Sequence, residues 1–376
     1  MPLVQTQNNL KTNLSLKKPT VSLLKANPQT VLEDYGRLMR MAGYRDFLPK
    51  DRDTALKINI SWHYFYPACS TTPWQLEGVI QTLLKDGYSK ENIHACHNRT
   101  VVVSAKRGER GNKHLAVVEK HGLRNIHLYE KSEEWTRYTP KTKMLVLDEI
   151  YPGGIYIPKR MMGENIIHLP TLKTHVFTTM TGAMKNAFGG LLFEKRHWTH
   201  SVIHETLVDL LAIQKEIHSG IFAVMDGTFA GDGPGPRCMR WSTPGYILAS
   251  ADQVAIDAVA AKIMGFDPMS IKFIRLAHEA GLGCGDIKEI NIVGEDISKI
   301  NLKFSGNENT FASRGQKMIY WGPLKPLEKI LLRTILAPWS YLASWIYHDL
   351  FWYKVIGKSR VNKALQTDWG KLFLSY

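Results

Sequence analysis

An α/β fold, with a mostly parallel sheet covered by helices on both faces, is predicted by three observations. Short β-rich runs alternate with helical periods from residue 54 onward. The helices between those runs are long enough to serve as crossovers between parallel strands. The chain of 376 residues, 44% hydrophobic and 22% charged, can also bury a sizeable core around one large domain. No internal repeat is visible.

The elements follow in order. The first 32 residues carry four lysines and no acid. They lack the apolar run of a secretory leader, so residues 1–48 read as a partly disordered N-terminal extension. Residues 55–62 (ALKINISW) read as a strand. Thr72-Pro73 opens a helix, with proline at its first position and Trp74, Leu76, Val79, Ile80, Leu83 and Leu84 forming its apolar stripe. Gly87 ends that helix. Strands are expected at 92–96, 125–129, 144–147, 165–169, 221–225 and 246–249, and helices at 113–120, 202–217, 253–264 and 269–280. The α/β domain is therefore placed at 49–305, and 306–376 reads as a helical extension.

That extension is aromatic and basic. Between Arg314 and Tyr376 there are ten Lys/Arg against three Asp/Glu, and the uncharged run 334–347 has 14 residues, too few to span a bilayer. Either its aromatic face packs on the body, or the segment lies at an anionic membrane surface. Pro338 fits both, since it breaks or kinks a single long helix.

The net charge of +14 favours a negative partner: an anionic metabolite, a membrane face or nucleic acid. Nucleic acid is disfavoured because no recognition motif accompanies the charge. Four scattered cysteines (Cys69, Cys96, Cys238, Cys284) without a C-x-x-C pair argue against an iron–sulfur cluster, a structural zinc or a disulfide scaffold. A reducing, cytoplasmic setting is expected from them, peripheral at a membrane if the basic segment docks there. Gly231-Asp-Gly-Pro-Gly-Pro236 does not fit a dinucleotide fingerprint, and no Gly-Lys-Ser/Thr loop occurs, so neither NAD nor ATP is signalled.

The candidate site lies in residues 170–190. Lys173 and His175 follow the apolar run 165–169 and, in an extended chain, point to the same side. Ligands of open α/β sheets bind outside the carboxyl ends of strands, where this pair falls. Thr181-Gly182 reads as a helix start offering N–H groups to an anion, with Lys185 one turn on and Asn186 beside it. Lys57 and Asn59, at another strand end, complete a cluster of cations. Crowded ammonium groups lower one another's pKa, which makes Lys173 or Lys185 a candidate base or nucleophile and His175 a candidate proton carrier.

Asp226 closes the run 221–225 and reads equally as a substrate ligand or a turn residue. Asp257 sits in an apolar helical frame and is expected to have a buried polar role. Both join the candidate substrate-binding set. His197, His200 and His204 would share a helix face, as metal ligands require; no metal is assigned, the plainer reading being one substrate-facing histidine and two surface ones.

The segments PTLKTH and TGAMKNAFGG together resemble the signature of the domain of unknown function 362 family, widespread in bacteria. Lys57-Ile-Asn59, Thr72-Pro73, Asp226-Gly227, the loop Gly233-Pro-Gly235, Ser250-Ala-Asp252 and Ala255-Ile-Asp257 resemble further family positions in the same order. The resemblance covers about residues 54–293. It implies a fold and a site more readily than a reaction. Many members carry an adjoining ferredoxin-like cysteine segment, which this sequence does not match.

Two functions follow as expectations. One is an enzyme or ligand-binding protein for a small anionic substrate at the Lys/His/Asn cluster. The other is an accessory or redox-partner protein, docking a separate iron–sulfur protein or a membrane surface through the basic C-terminal segment.

Overall fold

The computed structural model describes residues 18–100, 102–306, 308–334 and 338–376. Residues 1–17, the start of the expected disordered tail, lie outside them. In chain order the strands are β1 (Thr20–Lys25), β2 (Thr54–Ile58), β3 (Ile93–His97), β4 (Arg124–His127), β5 (Trp135–Tyr138), β6 (Ile155–Pro158) and β7 (Asn165–Leu169). There follow β8 (Thr171–His175), β9 (Thr179–Met180), β10 (Gly220–Asp232), β11 (Arg240–Ser242), β12 (Tyr246–Ser250) and β13 (Asn291–Gly294).

Strands in the order β13-β1-β12-β10-β7-β2-β3-β4 form the spine of one mixed sheet. The run β10-β7-β2-β3-β4 is parallel throughout, and β12 is antiparallel to both its neighbours. The α/β class is thus the fold. Beyond a bulge, the far half of β10 pairs with β8, which turns back through β9.

Alternation along the central strands sends one side chain to each face. Ile166 packs with Ala223, Met225 and the helices Ile203–Ile217 and Gln253–Met264 on one side. Ile167 and Leu169 pack with Leu56, Phe222 and the helices Val31–Met41 and Pro73–Lys85 on the other. The second of these helices starts as its sequence dictates. Thr72 caps it, Gln75 completes the capping box, and Pro73 fills the first turn.

Three of the structure's departures from the sequence reading have a plain physical cause or consequence. Thr20–Lys25, assigned to the N-terminal extension, is an interior strand between β12 and β13. The expected strand at 144–147 does not form. The N–H groups of Leu145, Val146 and Leu147 all donate to the Asp209 carboxylate, at 2.7, 2.9 and 3.0 Å, so none is left for a ladder. The strand expected at 55–62 ends at Ile58, because the Asn59 N–H turns to the Thr71 hydroxyl.

The C-terminal segment is helical, and part of it docks on the body. Trp352 lies against Trp62 and Tyr66, Trp369 against Trp74, and Phe373 stacks on Phe65 with ring centres 3.7 Å apart. Asp349 accepts a hydrogen bond from the Trp62 indole at 2.7 Å. Among the described residues, no helix is long and apolar enough to cross a membrane.

Candidate functional site

Several strands deliver side chains to one cavity at their carboxyl ends. Lys57 and Ile58 come from β2, His97 from β3 and His175 from β8. After β9 come Thr181 and, from the short helix Gly182–Asn186, Lys185 and Asn186, and the loop after β10 adds Pro236 and Arg237. Arg196, His197 and His200 close one side, and the cavity holds about 240 Å³.

Its electrostatics are one-sided. Lys57, Lys185, Arg196 and Arg237 line it, and no carboxylate does among the described lining residues. These cations rest on neutral partners. Lys57 Nζ donates to the Ile58 carbonyl at 2.6 Å, Arg237 to the Ser61 carbonyl at 3.1 Å, and Arg196 to the carbonyls of Leu192 and Arg99. Lys185 lies over the Phe188 ring, 4.9 Å from its centre. Carbonyl dipoles and a ring face orient a cation without cancelling its charge.

Burial therefore works against the charged forms. It lowers Lys57 to about 8, with Arg196 adding to the effect. It lowers Lys185 to about 7, helped by Lys173 and Arg196, and pulls even Arg196 down to about 10. His200 falls to about 3, and His175 well below the usual range, for the same reason and because of the neighbouring cations. His175 and His200 are thus neutral near pH 7, and Lys185 sits close to its midpoint. His175 Nδ1 accepts the Phe177 N–H at 3.2 Å, which places the ring proton on Nε2.

The expected residues divide into three groups. Lys57, Asn59, His175, Thr181, Lys185 and Asn186 line the cavity. Asn186 also ties its turn to β2 by donating to the Lys57 carbonyl at 2.8 Å, and the Thr181 hydroxyl is buried without a partner. Lys173 lies one layer below. It is fully buried, donates to the Cys69 carbonyl and to the Ser61 hydroxyl (2.9 Å), and is lowered by burial to about 8. It reaches the cavity through Ser61, which lines it.

Gly182, Asp226 and Asp257 stand elsewhere. Asp257 occupies the helix start that was expected to receive an external anion, taking the N–H groups of Ala183 (2.5 Å) and Met184 (3.0 Å). Gly182 has φ +73°, and a Cβ there would collide with the Asp257 carboxylate. Burial raises Asp257 to about 8 in spite of those two donors. Asp226 is fully buried and accepts from Tyr35, Trp74, Thr72 and both the N–H and hydroxyl of Thr228, at 2.6 to 3.0 Å. It knits β10 to two helices. Likewise, Gly235 lies where a Cβ would overlap the Thr174 carbonyl, so the glycine–proline loop braces β8.

His97, Arg196 and Arg237 were not singled out by the sequence reading. His97 ends β3 as Lys57 nearly ends β2, so the strand-end rule could have found it. Arg237 directly follows the glycine–proline loop, while Arg196 lies in a 3₁₀ stretch with no strand-end signal. The three histidines at 197, 200 and 204 do not converge, because the α-helix begins only at Ile203. His197 meets the Leu332 carbonyl, His200 stacks on Tyr320, and His204 stacks on Phe273.

A family model described as Domain of unknown function (DUF362) matches residues 54–262. A thylakoid-associated protein of Synechocystis sp. is 29% identical over 125 residues. That match covers 32% of this chain and 39% of the relative, so the chain spans well under half of the relative's length.

Proposed function

The chain belongs to the DUF362 family, and within it we propose that the cavity binds a small anion, with Lys185 able to move a proton on it. One observation carries this reading: four cations face a cavity at the carboxyl ends of parallel strands, with no carboxylate among the described lining residues. An anion of two or more charges satisfies what carbonyls cannot. Lys185, near its midpoint at neutral pH, is suited to give or take a proton. Lys173, held behind Ser61, acts through its field rather than by contact.

The test is calorimetric titration of the full chain with sulfate at pH 6.5. Saturable binding is expected, weakened about tenfold or more in Lys185→Gln and in Arg237→Gln. Absence of binding in the wild type, or unchanged affinity in both variants, overturns the reading.

A second observation favours a peripheral membrane position. Among the described residues, thirteen of the eighteen exposed large apolar side chains fall between Phe311 and Val355, among them Trp321, Trp339, Trp345 and Phe351. They share a segment with the basic excess noted above. Apolar rings and lysines in one exposed segment suit an anionic bilayer, and the Synechocystis relative is named as thylakoid-associated. The full chain should then co-sediment with phosphatidylserine vesicles in low salt, and a Leu342→Asp, Phe351→Asp double variant should not. Equal sedimentation of the two removes the idea.

A further inference from the structure

We infer that the opposite end of the same parallel strands holds a divalent-cation site made of Asp53, His94 and Glu164. This inference is independent of the reading of the cavity. Strands β7, β2 and β3 are adjacent and parallel, and Thr54 lies beside Asn165 in the register. The preceding residues, Asp53 and Glu164, are therefore side by side at the amino ends. His94 is registered with Ala55, two residues on from Asp53, so all three side chains leave the same face. Their ligating atoms lie within 4.8 Å of one another.

Two further observations point to a ligand. His94 is fully buried, and neither of its ring nitrogens has a hydrogen-bond partner; Glu164 Oε2 is buried and unpartnered as well. Glu164 Oε2 faces His94 Nε2 at 3.4 Å without hydrogen-bond geometry. Buried polar atoms left in this way are costly unless something fills the space between them.

The charge balance agrees. Arg160 is committed to Glu133 by two bonds, at 2.8 and 3.0 Å, and comes no closer than 3.8 Å to the other oxygen of Glu164. Arg124 holds one oxygen of Asp53 at 3.2 Å. Three carboxylates against two guanidiniums leave a negative remainder that a cation removes. One imidazole and two carboxylates suit zinc, manganese or ferrous iron better than calcium, which takes six or more oxygens. Asp53 is partly exposed, which gives the ion an entry.

The competing occupant is a proton on His94, and the experiment separates the two. Tag-free full-length protein, stripped with a chelator, is titrated with zinc chloride and with manganese chloride. About one equivalent should bind at saturation, with a rise in melting temperature. His94→Gln and Asp53→Asn should each weaken binding by more than about 100-fold, beyond the loss of an outer-shell partner. Asp53 is partly exposed, so its variant folds even where His94→Gln does not. No saturable binding in the wild type, or Asp53→Asn binding as the wild type does, overturns the site.

Discussion

Raising the pH should release the anion from the cavity, because two of its cations titrate near neutrality. In the free protein Lys185 loses its proton near pH 7 and Lys57 near pH 8, burial being the main cause in each case. A bound dianion favours both ammonium forms, so binding takes up protons wherever these lysines are neutral. At pH 6 both are charged. At pH 9 about 1% of Lys185 and about 10% of Lys57 remain charged, which sets an upper limit of roughly 1,000-fold, or about 4 kcal/mol, on the loss of affinity due to these two lysines, with Lys173, also lowered to about 8, adding a smaller loss through its field.

The dissociation constant should climb about tenfold per unit between pH 7 and 8, and more steeply above. Below pH 6 it should be flat, since His175 and His200 stay neutral there. Sulfate is the probe because its own charge does not change over this range. Lys185→Arg keeps its charge throughout and should cut the span by about 100-fold, leaving the Lys57 contribution and the smaller one of Lys173. A constant that varies by less than about threefold from pH 6 to 9 refutes the electrostatic account of the cavity.

The remaining predictions separate structural carboxylates from ligand-binding ones. Asp226→Ala strands the donors of Tyr35, Thr72, Trp74 and Thr228, all buried, and should cost more than about 4 kcal/mol in urea unfolding or prevent folding. A folded variant of normal stability that has lost sulfate binding would return Asp226 to the ligand set. Gly182→Ala meets both a positive φ and the Asp257 carboxylate, and should lose about 2 kcal/mol or more by the same assay. Asp209→Ala frees three N–H groups ahead of the helix Leu147–Ile150, so amide exchange at Leu145, Val146 and Leu147 should accelerate well beyond that of β7.

What the sequence revealed, and what it hid, depended on how far apart partners lie. β7 and the helix Gln253–Met264 emerge within the predicted bounds because their signals are local: an apolar run in one case, an aspartate cap and a closing glycine in the other. β1 was hidden. Its neighbours are β12 and β13, well over two hundred residues away, and a short strand beside a lysine-rich tail shows no period that says so. The candidate cluster was legible where the strand-end rule applied, at Lys57 and His175. It failed at Gly182, whose adjacent N–H groups are taken by a carboxylate more than seventy residues on. Arg196 and Arg237 belong to no regular pattern, so only the folded chain brings them to the cavity.

The two sites proposed at opposite ends of the parallel strands would take ions of opposite charge, and the architecture gives a reason. Helices that connect parallel strands run back against them, so their amino ends gather where the strands finish and their carboxyl ends where the strands begin. The helix Pro73–Lys85 shows this. It opens at Thr72, whose neighbour Thr71 accepts from Asn59 just past the end of β2, and closes at Asp86 before the chain enters β3. Backbone dipoles thus favour an anion beyond the carboxyl ends and a cation at the amino ends. The side chains add to both preferences, with Lys57, Lys185, Arg196 and Arg237 at one end and Asp53, Glu133 and Glu164 in excess at the other. On the proposals above, the cavity and the group of Asp53, His94 and Glu164 are the two places where these opposite preferences would be used.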